Sequence, residues 1–555
     1  MDMNNFYQRF VDVTFDQKGV LKTFVPNYPE NFNFGYDVVD AVAAEDPNRR
    51  AMIWCDSDGN EREFTFAEMK YYSDKTANMF LRHGIKKGDA VMLVLRRHYE
   101  FWFSIVALHK IGAIVVPASF LLTKKDYVYR FESAGIKAVV CSSVGEIAEQ
   151  VDLACKEYTD ITCKFLVNKG ETAGEGWLDF TQEMEASDDK LERVSTLSTD
   201  PMLMYFSSGT TGYPKMVLHD YTYPIGHIIT AKFWHNVDPE GIHLTYSDTG
   251  WGKSVWGKLY GQWTCGTTVF VYDHTKFAPS DLLHMIEKYR ITTFCAPPTI
   301  YRFFIKEGME NYDLSSLKYA TTAGEALNPE VFNRFKDYTG LSLMEGFGQT
   351  ESTLLTANLV GTTPKPGSMG KPTPLYNIDI VDEDGNSVEP GTVGEVVVRT
   401  KGDRNVGVFV EYYRNPEKTH EAHHDGLYHT GDTAWMDEDG YLWYVGRTDD
   451  VIKASGYRIG PFEIESVLME HPAVLECAVT GAPDPIRGTV VKATIILTKT
   501  YTPSPELVKE LQDYVKKQTA PYKYPRIVEF VDELPKTISG KIMRKDLRAK
   551  DGQKS

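Results

Sequence analysis

Several features that define special classes of protein are missing from this chain of 555 residues. Its seven cysteines are odd in number, scattered and free of any C-x-x-C pair, so we expect neither a disulfide framework nor a cysteine-based metal site. The opening residues Met1–Asn5 contain neither the basic nor the apolar region of a secretory signal. We therefore expect reduced thiols and a cytoplasmic location.

A long uninterrupted apolar run is also missing. The most apolar window, Phe101–Leu122, contains His109 and Lys110 and then Gly112 and Pro117. A buried helix followed by a buried strand explains this pattern better than a membrane span does. We expect no membrane span.

An excess of positive charge is missing as well. The chain has 60 lysines and arginines against 77 aspartates and glutamates, which gives a formal net charge of −17. Such a protein repels polyanions, so we expect no nucleic-acid partner, whereas a small anionic ligand in a focused site is compatible with this charge. The composition leaves the oligomeric state open, and a homo-oligomer is one expectation.

Apolar runs of strand length alternate with amphipathic helical stretches in the first part of the chain. The length alone favours two or more domains. The predicted helices include Phe66–Arg82 and Ser280–Tyr289. The predicted strands are Ala90–Leu95, Ala113–Val116, Ala138–Cys141, Met202–Phe206, Thr267–Tyr272 and Thr292–Ala296. This alternation predicts an α/β fold with parallel sheets covered by helices.

Two later parts of the chain have different patterns. Short alternating strands and turn signals in Ile378–Arg399 predict a small antiparallel β subdomain at about residues 365–447. After Arg447 the pattern predicts a separate small α+β domain of roughly a hundred residues. Its predicted elements are Phe462–Glu470, Glu476–Thr480, Lys492–Thr498, Ser504–Thr519 and Ile527–Val531. We expect domains at residues 1–448 and 449–555, joined at Asp449.

The stretch Tyr205–Lys215 combines a glycine-rich loop with one cation. Glycines let the backbone approach an anion, serine and threonine add short donors, and Lys215 adds a positive charge. The stretch overlaps and follows a predicted buried strand, so the loop should lie at the end of a sheet. It is not a Walker loop, because Tyr213 and Pro214 separate the last glycine from the lysine. A flexible linker is the alternative interpretation.

Further polar clusters follow this loop in order along the chain. Two of them come after the predicted strands Tyr319–Thr322 and Leu341–Met344. The clusters are Gly324-Glu325-Ala326-Leu327, Gly346-Phe347-Gly348-Gln349-Thr350-Glu351, Tyr428-His429-Thr430-Gly431-Asp432, Gly446–Arg458 and Pro535–Lys541. Over nearly its whole length the chain resembles the acyl-adenylate-forming superfamily, and within it the AMP-forming acyl-CoA synthetases of the short- and medium-chain type.

This resemblance implies an acid–thiol ligase that works in two steps. A carboxylic acid and ATP give acyl-AMP and pyrophosphate, and coenzyme A then displaces AMP to give acyl-CoA. The implied cofactors are ATP, Mg²⁺ and coenzyme A. The first step needs cations and donors where charge builds on the phosphates.

The resemblance assigns most of the clusters to ATP. It places Ser207–Lys215 on the β- and γ-phosphates, Thr350 on the α-phosphate and Glu351 on Mg²⁺. It also places Asp432 on both ribose hydroxyls, with Arg447 nearby, and Gly324-Glu325-Ala326 beside the adenine. The full expected ATP set is Ser207, Ser208, Gly209, Thr210, Thr211, Gly212, Lys215, Gly324, Glu325, Ala326, Glu345, Gly346, Phe347, Gly348, Gln349, Thr350, Glu351, Asp432, Arg447, Arg458 and Lys541.

Lys541 is the residue expected to catalyse adenylation, together with Thr350 and Glu351. Its ammonium would bridge the acyl carboxylate and the α-phosphate, whereas a surface cation in a basic tail is the alternative. The resemblance further implies that the C-terminal domain rotates about Asp449 between the two steps. The expected coenzyme A contacts are Ser455, Gly456, Tyr457, Arg487, Tyr522, Lys523 and Tyr524.

The resemblance places the acyl pocket in a tryptophan-rich stretch. Trp251, Lys253 and Trp256 are the expected pocket residues, and the bulky indoles favour short, medium-chain or branched acids. Tyr260 and Trp263 continue the helical spacing of Trp256 and are predicted to be core residues. We expect Lys253 to reach solvent, with a cap on the pocket as the alternative.

Three other functions fit parts of the sequence. His420-Glu421-Ala422-His423-His424 matches the zinc-protease pattern H-E-x-x-H, but Asn415-Pro416 and Asp425-Gly426 leave little room for the necessary helix. Transfer of the acyl group to a carrier protein is a closer alternative, yet nothing that resembles a carrier domain follows Lys541, so free coenzyme A is preferred. A regulator without catalysis is disfavoured because the residues expected for catalysis are present.

Overall fold

The computed structural model describes residues 3–168, 174–207, 213–325, 327–400, 405–454, 457–485, 488–537 and 541–553, without the side chains of Tyr457, Arg458 and Gln553. The α-helices in these residues are α1 Ala41–Glu45, α2 Phe66–Arg82, α3 Glu100–Ile111, α4 Lys124–Ala134, α5 Ile147–Cys155, α6 Phe180–Glu185, α7 Tyr223–Ile228, α8 Gly252–Lys258, α9 Tyr260–Thr264, α10 Pro279–Lys288, α11 Pro298–Glu307, α12 Pro329–Thr339, α13 Pro416–Ala422, α14 Pro461–Met469, α15 Pro505–Gln518 and α16 Arg544–Gln553. Short 3₁₀ or π segments cover Met3–Arg9, Gly35–Asp40, Ile229–Trp234, Met309–Asn311 and Pro521–Lys523.

The strands follow in the same numbering. They are β1 Val11–Phe15, β2 Leu21–Pro26, β3 Arg50–Asp56, β4 Glu61–Thr65, β5 Ala90–Val94, β6 Ile114–Pro117, β7 Ile136–Ser142, β8 Cys163–Val167, β9 Trp177–Asp179, β10 Pro201–Ser207, β11 Lys215–Asp220, β12 Ile242–Thr245, β13 Thr268–Asp273, β14 Thr293–Ala296, β15 Tyr319–Thr322, β16 Leu343–Gly348, β17 Leu354–Ala357, β18 Lys371–Pro372, β19 Asn377–Val381, β20 Gly394–Arg399, β21 Glu411–Tyr412, β22 His423–His424, β23 Leu427–Met436, β24 Leu442–Arg447, β25 Ile452–Ala454, β26 Tyr457–Ile459, β27 Val474–Asp484, β28 Gly488–Leu497 and β29 Ile527–Phe530.

An eight-stranded sheet has the order β21-β11-β10-β6-β5-β7-β8-β9. Neighbouring strands are parallel from β10 to β9. Strand β5 is apolar and buried along its whole length, as expected for a parallel strand covered on both faces. At the other end β10 and β11 form an antiparallel hairpin in which Ser207 pairs with Lys215. This hairpin carries the predicted phosphate loop.

A nine-stranded sheet has the order β18-β17-β16-β15-β14-β12-β13-β3-β4. Its strands are parallel from β16 to β3. In this sheet Thr322 at the end of β15 pairs with Glu345 in β16. Because parallel strands end at the same edge, the polar residues that follow β15 and β16 lie close together at that edge.

The covering helices begin at residues with clear start signals. Thr65 caps α2, and its side chain and that of Glu68 form a capping box. Helices α10, α11 and α12 each begin with a proline in the first turn, where its missing N–H has no intrahelical partner to lose. Apolar residues on one face of each helix then pack into the core.

The remaining strands form an antiparallel sheet and a separate C-terminal unit. Strands β19, β20, β23 and β22 are consecutive neighbours, and β24 pairs with β23. In the C-terminal unit the sheet β27-β28-β29 packs with α14 and α15 around a core of its own that includes Ile464, Leu511 and Ile495. The predicted α/β fold, with a large N-terminal part and a small C-terminal domain, is therefore confirmed.

The apolar window Phe101–Leu122 contains most of α3 and then β6, as the sequence predicts. Within the ranges that the structure describes, no helix is both long and apolar enough to cross a membrane. All seven cysteines lie in those ranges and are free thiols.

Candidate active site

The phosphate-loop hairpin brings Lys215 next to Glu351. The Lys215 ammonium lies 4.5 Å from the centroid of the Tyr412 ring, and the Tyr412 hydroxyl donates to Glu351 Oε1 at 2.9 Å. Burial lowers the pKa of Lys215, and the Glu351 carboxylate opposes that shift. Ser208–Gly212, which are predicted to hold phosphates, lie outside the described residues.

Glu351 follows β16 and offers the hard oxygen ligand that Mg²⁺ prefers. In the described ranges there is no group of three or more histidine, cysteine, aspartate or glutamate side chains that could hold a metal ion. One carboxylate is nevertheless enough for Mg²⁺, because this ion commonly completes its shell with substrate phosphates and water. Nearby, the carbonyl of Thr350 accepts a hydrogen bond from His219 Nε2 at 2.7 Å.

Asp432 is held by three donors at the start of the β23–β24 pairing. Its side chain is only 5% exposed, and it accepts from Tyr444 Oη at 3.1 Å and from Arg447 Nη1 at 3.2 Å. Gln349 Nε2 donates to the same carboxylate. Burial raises the pKa of Asp432, while Arg447 and these hydrogen bonds oppose the shift. Strand register explains the proximity, since Asp432 pairs directly with Arg447.

The segment after β15 is exposed at Gly324 and Glu325 and lies at the same edge. Gly324 has φ +103°, which an L side chain would rarely adopt. Thr299 Oγ1 donates to Glu325 Oε2 at 2.7 Å. Ala326 lies outside the described residues. Glu345 is buried beneath this segment, where it accepts from the Leu327 N–H at 3.3 Å, and burial raises its pKa to about 8.

Lys541 of the C-terminal domain is exposed. Lys253 Nζ donates to the Ala323 carbonyl at 2.6 Å, one residue before Gly324. Burial lowers the pKa of Lys253, and the positive charge of Lys541 contributes in the same direction, so Lys541 lies within electrostatic range of Lys253. The far end of the chain therefore reaches the edge where the predicted ATP residues lie.

The acyl stretch differs from its prediction in two respects. Helix α8 ends at Lys258 and α9 begins at Tyr260, so Trp256, Tyr260 and Trp263 do not share one continuous helix. Lys253 does not extend into solvent but bonds to Ala323. The core prediction for Tyr260 and Trp263 is confirmed, since both are fully buried and Trp263 Nε1 donates to the Ala51 carbonyl at 3.0 Å.

Trp251 and Trp256 are partly exposed, unlike the two core aromatics that follow them. The Trp256 ring centroid lies 6.0 Å from that of Trp234 and 5.7 Å from that of His235. The Lys253 ammonium lies 5.6 Å from the Trp256 ring. Lys253 is thus adjacent both to this aromatic group and to Gly324.

The turn around Asp449 connects two different bodies. The Thr448 N–H donates to the Gly431 carbonyl at 2.9 Å, which ties Thr448 to β23. Asp450 forms an ion pair with Arg548, and Arg544 Nη1 lies 3.7 Å from its carboxylate, so Asp450 is tied to α16.

The predicted coenzyme A residues are only partly described. Ser455, Gly456 and Arg487 lie outside the described residues, and only the backbones of Tyr457 and Arg458 are described. Tyr522 is 41% exposed. Lys523 pairs with Glu463 at 2.6 Å, and Tyr524 accepts from Arg526 at 2.8 Å.

Sequence reasoning missed the tyrosines that hold the acidic and amide groups of the site. Tyr412 bonds to Glu351, Tyr428 to Gln349 and Tyr444 to Asp432. Tyr428 lies inside one of the polar clusters and could have been found there. Tyr412 gave no signal, because its strand β21 is only two residues long and joins the sheet from far along the chain.

The zinc-protease pattern does not form its expected helix. Helix α13 ends at Ala422, and His424 lies in strand β22. The ring centroids of His420 and His424 are 6.3 Å apart, and His424 stacks on His429 instead. The structure therefore contradicts this remote alternative.

The fold and the site together define an adenylate-forming enzyme, and comparisons with known proteins agree. A model described as "AMP-binding enzyme" matches residues 39–413, and one described as "AMP-binding enzyme C-terminal domain" matches residues 463–541. The human protein "Acyl-coenzyme A synthetase ACSM3, mitochondrial" is 41% identical over 532 residues, which cover 94% of this chain and 90% of that protein. The mouse protein "Acyl-coenzyme A synthetase ACSM4, mitochondrial" is 42% identical over 550 residues, which cover 98% of this chain and 94% of that protein.

Solved structures of related enzymes have the same fold. The anthranilate CoA ligase AuaEII in complex with anthranoyl-AMP has a TM-score of 0.86 at 29% identity, and the match covers 95% of this chain and 98% of that one. A benzoate CoA ligase from Burkholderia xenovorans LB400 has a TM-score of 0.80 at 26% identity, with 93% and 100% covered.

The chain belongs to the AMP-binding enzyme family and is an AMP-forming acyl-CoA synthetase. It converts a carboxylic acid and ATP to acyl-AMP and pyrophosphate, then acyl-AMP and coenzyme A to acyl-CoA and AMP, with Mg²⁺ as a cofactor. The expected cytoplasmic location is wrong, because the curated relatives are mitochondrial proteins by name. Free cysteines indicate a reducing environment and do not identify one compartment.

Proposed function

We propose that this acyl-CoA synthetase activates compact carboxylic acids, namely short-chain, medium-chain or branched ones. The observation that carries the proposal is the aromatic group of Trp256, Trp234 and His235, which lies next to Lys253. Trp251, at the N-terminus of α8, is the other predicted wall residue. Bulky indoles at this place shorten the space in front of the reacting carboxylate. Lys253 supports the proposal, because its side chain folds over Trp256 onto Ala323 and narrows the same space.

The phosphate side of the proposed site rests on Lys215, Thr350 and Glu351. Lys215 would screen the charge of the β- and γ-phosphates together with the hairpin loop. Thr350 would bond to the α-phosphate. Glu351 would hold Mg²⁺, which supplies positive charge to the phosphates when bound. The Tyr412 hydroxyl fixes the Glu351 carboxylate for this task.

The nucleoside side of the proposed site rests on the buried carboxylate of Asp432. An ionised carboxylate only accepts hydrogen bonds, which suits the two hydroxyls of a ribose. Arg447 and Tyr444 hold it in place and favour its charged form. Gly324 and Glu325, which are exposed at the adjacent edge, would line the adenine.

The C-terminal domain would supply a different group for each half-reaction. Lys541 would stabilise negative charge as the acyl carboxylate attacks the α-phosphate. Residues 449–555 would then rotate about Asp449, so that the predicted coenzyme A residues face the site. The proposal is supported by Thr448 and Asp450, whose bonds lead to different bodies on either side of Asp449.

Pyrophosphate release over a panel of straight, branched and aromatic acids tests the substrate class. Aromatic acids belong in the panel because two related structures are named for anthranilate and benzoate. We expect the highest kcat/KM for an acid of short or medium length or with a branched chain. A maximum at a long-chain acid would contradict the proposed substrate class, and release without dependence on Mg²⁺ would contradict the metal assignment.

A further inference from the structure

Helix α14 of the C-terminal domain contacts the N-terminal part through Asn328. The Asn328 Nδ2 donates to the Ser466 carbonyl in α14 at 3.3 Å. Its Oδ1 accepts from the Glu330 N–H at 2.7 Å, as the N-cap of α12. The Asn328 side-chain amide therefore caps helix α12 of the large domain through its oxygen and binds the small domain through its nitrogen.

Asn328 is fixed relative to the predicted adenine segment. It lies in the same loop as Gly324 and Glu325, between β15 and α12. The N–H of the preceding residue, Leu327, donates to the buried carboxylate of Glu345. Because contacts hold this short loop at both ends, Asn328 has little freedom to move. Its hydrogen bond to Ser466 therefore relates the position of the small domain to the sheet edge where the predicted ATP residues lie.

Other contacts cross the same boundary, among them two that involve residues of α14. Arg302 donates to Thr299 Oγ1 at 2.8 Å and lies 3.8 Å from the sulfur of Met469 at the end of α14. The rings of Tyr444 and Phe462 have centroids 6.2 Å apart. Arg302 Nη1 donates a hydrogen bond to the Met469 sulfur, which is a weak acceptor, whereas the Asn328 amide donates to a backbone carbonyl oxygen.

We propose that Asn328 is a positioning residue that holds the C-terminal domain in the orientation that brings Lys541 to the site. This inference rests on the proposed function, in which Lys541 acts only in adenylation. The bond between Asn328 and Ser466 has to break before the small domain can rotate for thioester formation. Losing it shifts the population away from the orientation that supports adenylation.

Asn328→Asp tests the proposal because aspartate keeps the helix cap and removes the amide donor. We expect the rate of acid-dependent pyrophosphate release to fall about fivefold, as loss of one net hydrogen bond implies. The conversion of supplied acyl-AMP to acyl-CoA should not fall. Asn415→Asp is a matched control, since Asn415 caps α13 within the same Asn-Pro-Glu sequence. It should change neither half-reaction, and both variants should keep the melting temperature.

Equal effects of Asn328→Asp on both half-reactions, or no effect on either, would overturn the proposal. Asn328→Ser, which also caps a helix but lacks the amide, should reproduce the result if the aspartate variant folds poorly.

A parallel measurement on Lys541→Ala separates this inference from the proposed function. A selective loss of adenylation in Lys541→Ala, together with no selectivity in Asn328→Asp, means that the role of Asn328 is wrong and that of Lys541 is right. A loss of both half-reactions in Lys541→Ala means that the assigned role of Lys541 is itself wrong.

Discussion

At the scale of single residues, the site consists of charged groups whose positions are set by neutral ones. Tyr412 orients Glu351, while Tyr444 and Gln349 orient Asp432. Groups held in this way need little rearrangement when charge develops on a ligand, which is the largest source of catalysis in many enzymes. The tyrosines therefore belong to the site although they carry no charge.

Asp432→Asn tests the ribose assignment at this scale. An asparagine has a similar shape but offers one acceptor oxygen in place of two, so a charged hydrogen bond is lost. Such a loss costs about 1.5–3 kcal/mol, which corresponds to a rise of about 10- to 150-fold in the KM for ATP. The matched control is Glu395→Gln, because Glu395 accepts from the nearby Gly431 N–H but belongs to no predicted site. An unchanged KM in Asp432→Asn would contradict the assignment.

Glu345→Gln tests the consequence of burying a carboxyl group beneath the sheet edge where the predicted ATP residues lie. Burial raises the pKa of Glu345 from 4.5 to about 8, so the folded protein keeps a proton that the unfolded chain has lost between these values. Stability contributed by this group is present below pH about 4.5 and is lost as pH rises towards about 8. In Glu345→Gln this decline, of up to a few kcal/mol, should disappear from the pH profile of the free energy of unfolding. A profile as steep as that of the unchanged protein would contradict the shift.

At the scale of elements, close packing of glycines sets the geometry of the acyl stretch. A Cβ at Gly257 would collide with Thr245, and one at Gly261 would collide with the His227 carbonyl. The chain breaks between α8 and α9 at Leu259. The last turn of α8, which contains Trp256, is thereby packed against the end of β12.

Trp251→Gly tests whether this indole limits chain length. We expect kcat/KM to rise with acid length by about fourfold for each additional methylene, since burying one is worth about 0.8 kcal/mol. A series of straight-chain acids provides the measurement. Trp435→Gly removes an indole from the antiparallel sheet, where Trp435 stacks on Trp443, and should leave the preference unchanged. The same change in chain-length preference in both variants would contradict the assignment of Trp251 to the acyl pocket.

Asp449→Pro tests whether the C-terminal domain rotates about Asp449. Proline fixes φ near −65° and so restricts the rotation that the second half-reaction needs. Because the structure already brings Lys541 near the site, adenylation should survive better than thioester formation. Separate measurements of pyrophosphate release and of acyl-CoA formation from acyl-AMP provide the comparison. Unchanged rates for both half-reactions would show that Asp449 is not the hinge.

At the scale of the whole molecule, patterns that are local in sequence were predictable. Helix α2 has the predicted bounds Phe66–Arg82, because its cap and its apolar face both lie within the segment. Strand β15 likewise has the predicted bounds. Strand β16, in contrast, runs on to Gly348, because β17 pairs with it and supplies partners that the local pattern does not reveal.

The motifs of the site could be recognised in the sequence, but the contacts that hold their side chains in place could not. Lys253 bonds to Ala323 and Tyr412 bonds to Glu351, and both contacts join segments far apart in the chain. Such contacts depend on how sheets and domains meet, so no local pattern contains them. The division at residues 448 and 449 and the individual residue roles stay predictions.

The central claim is that the C-terminal domain delivers the Lys541 ammonium for adenylation and withdraws it for thioester formation. Both half-reactions of Lys541→Ala test it most directly, measured as pyrophosphate release and as conversion of supplied acyl-AMP to acyl-CoA. The account predicts a loss of about 10²- to 10³-fold in the first rate and an unchanged second rate. An equal loss in both rates, or an undiminished first rate, would contradict it.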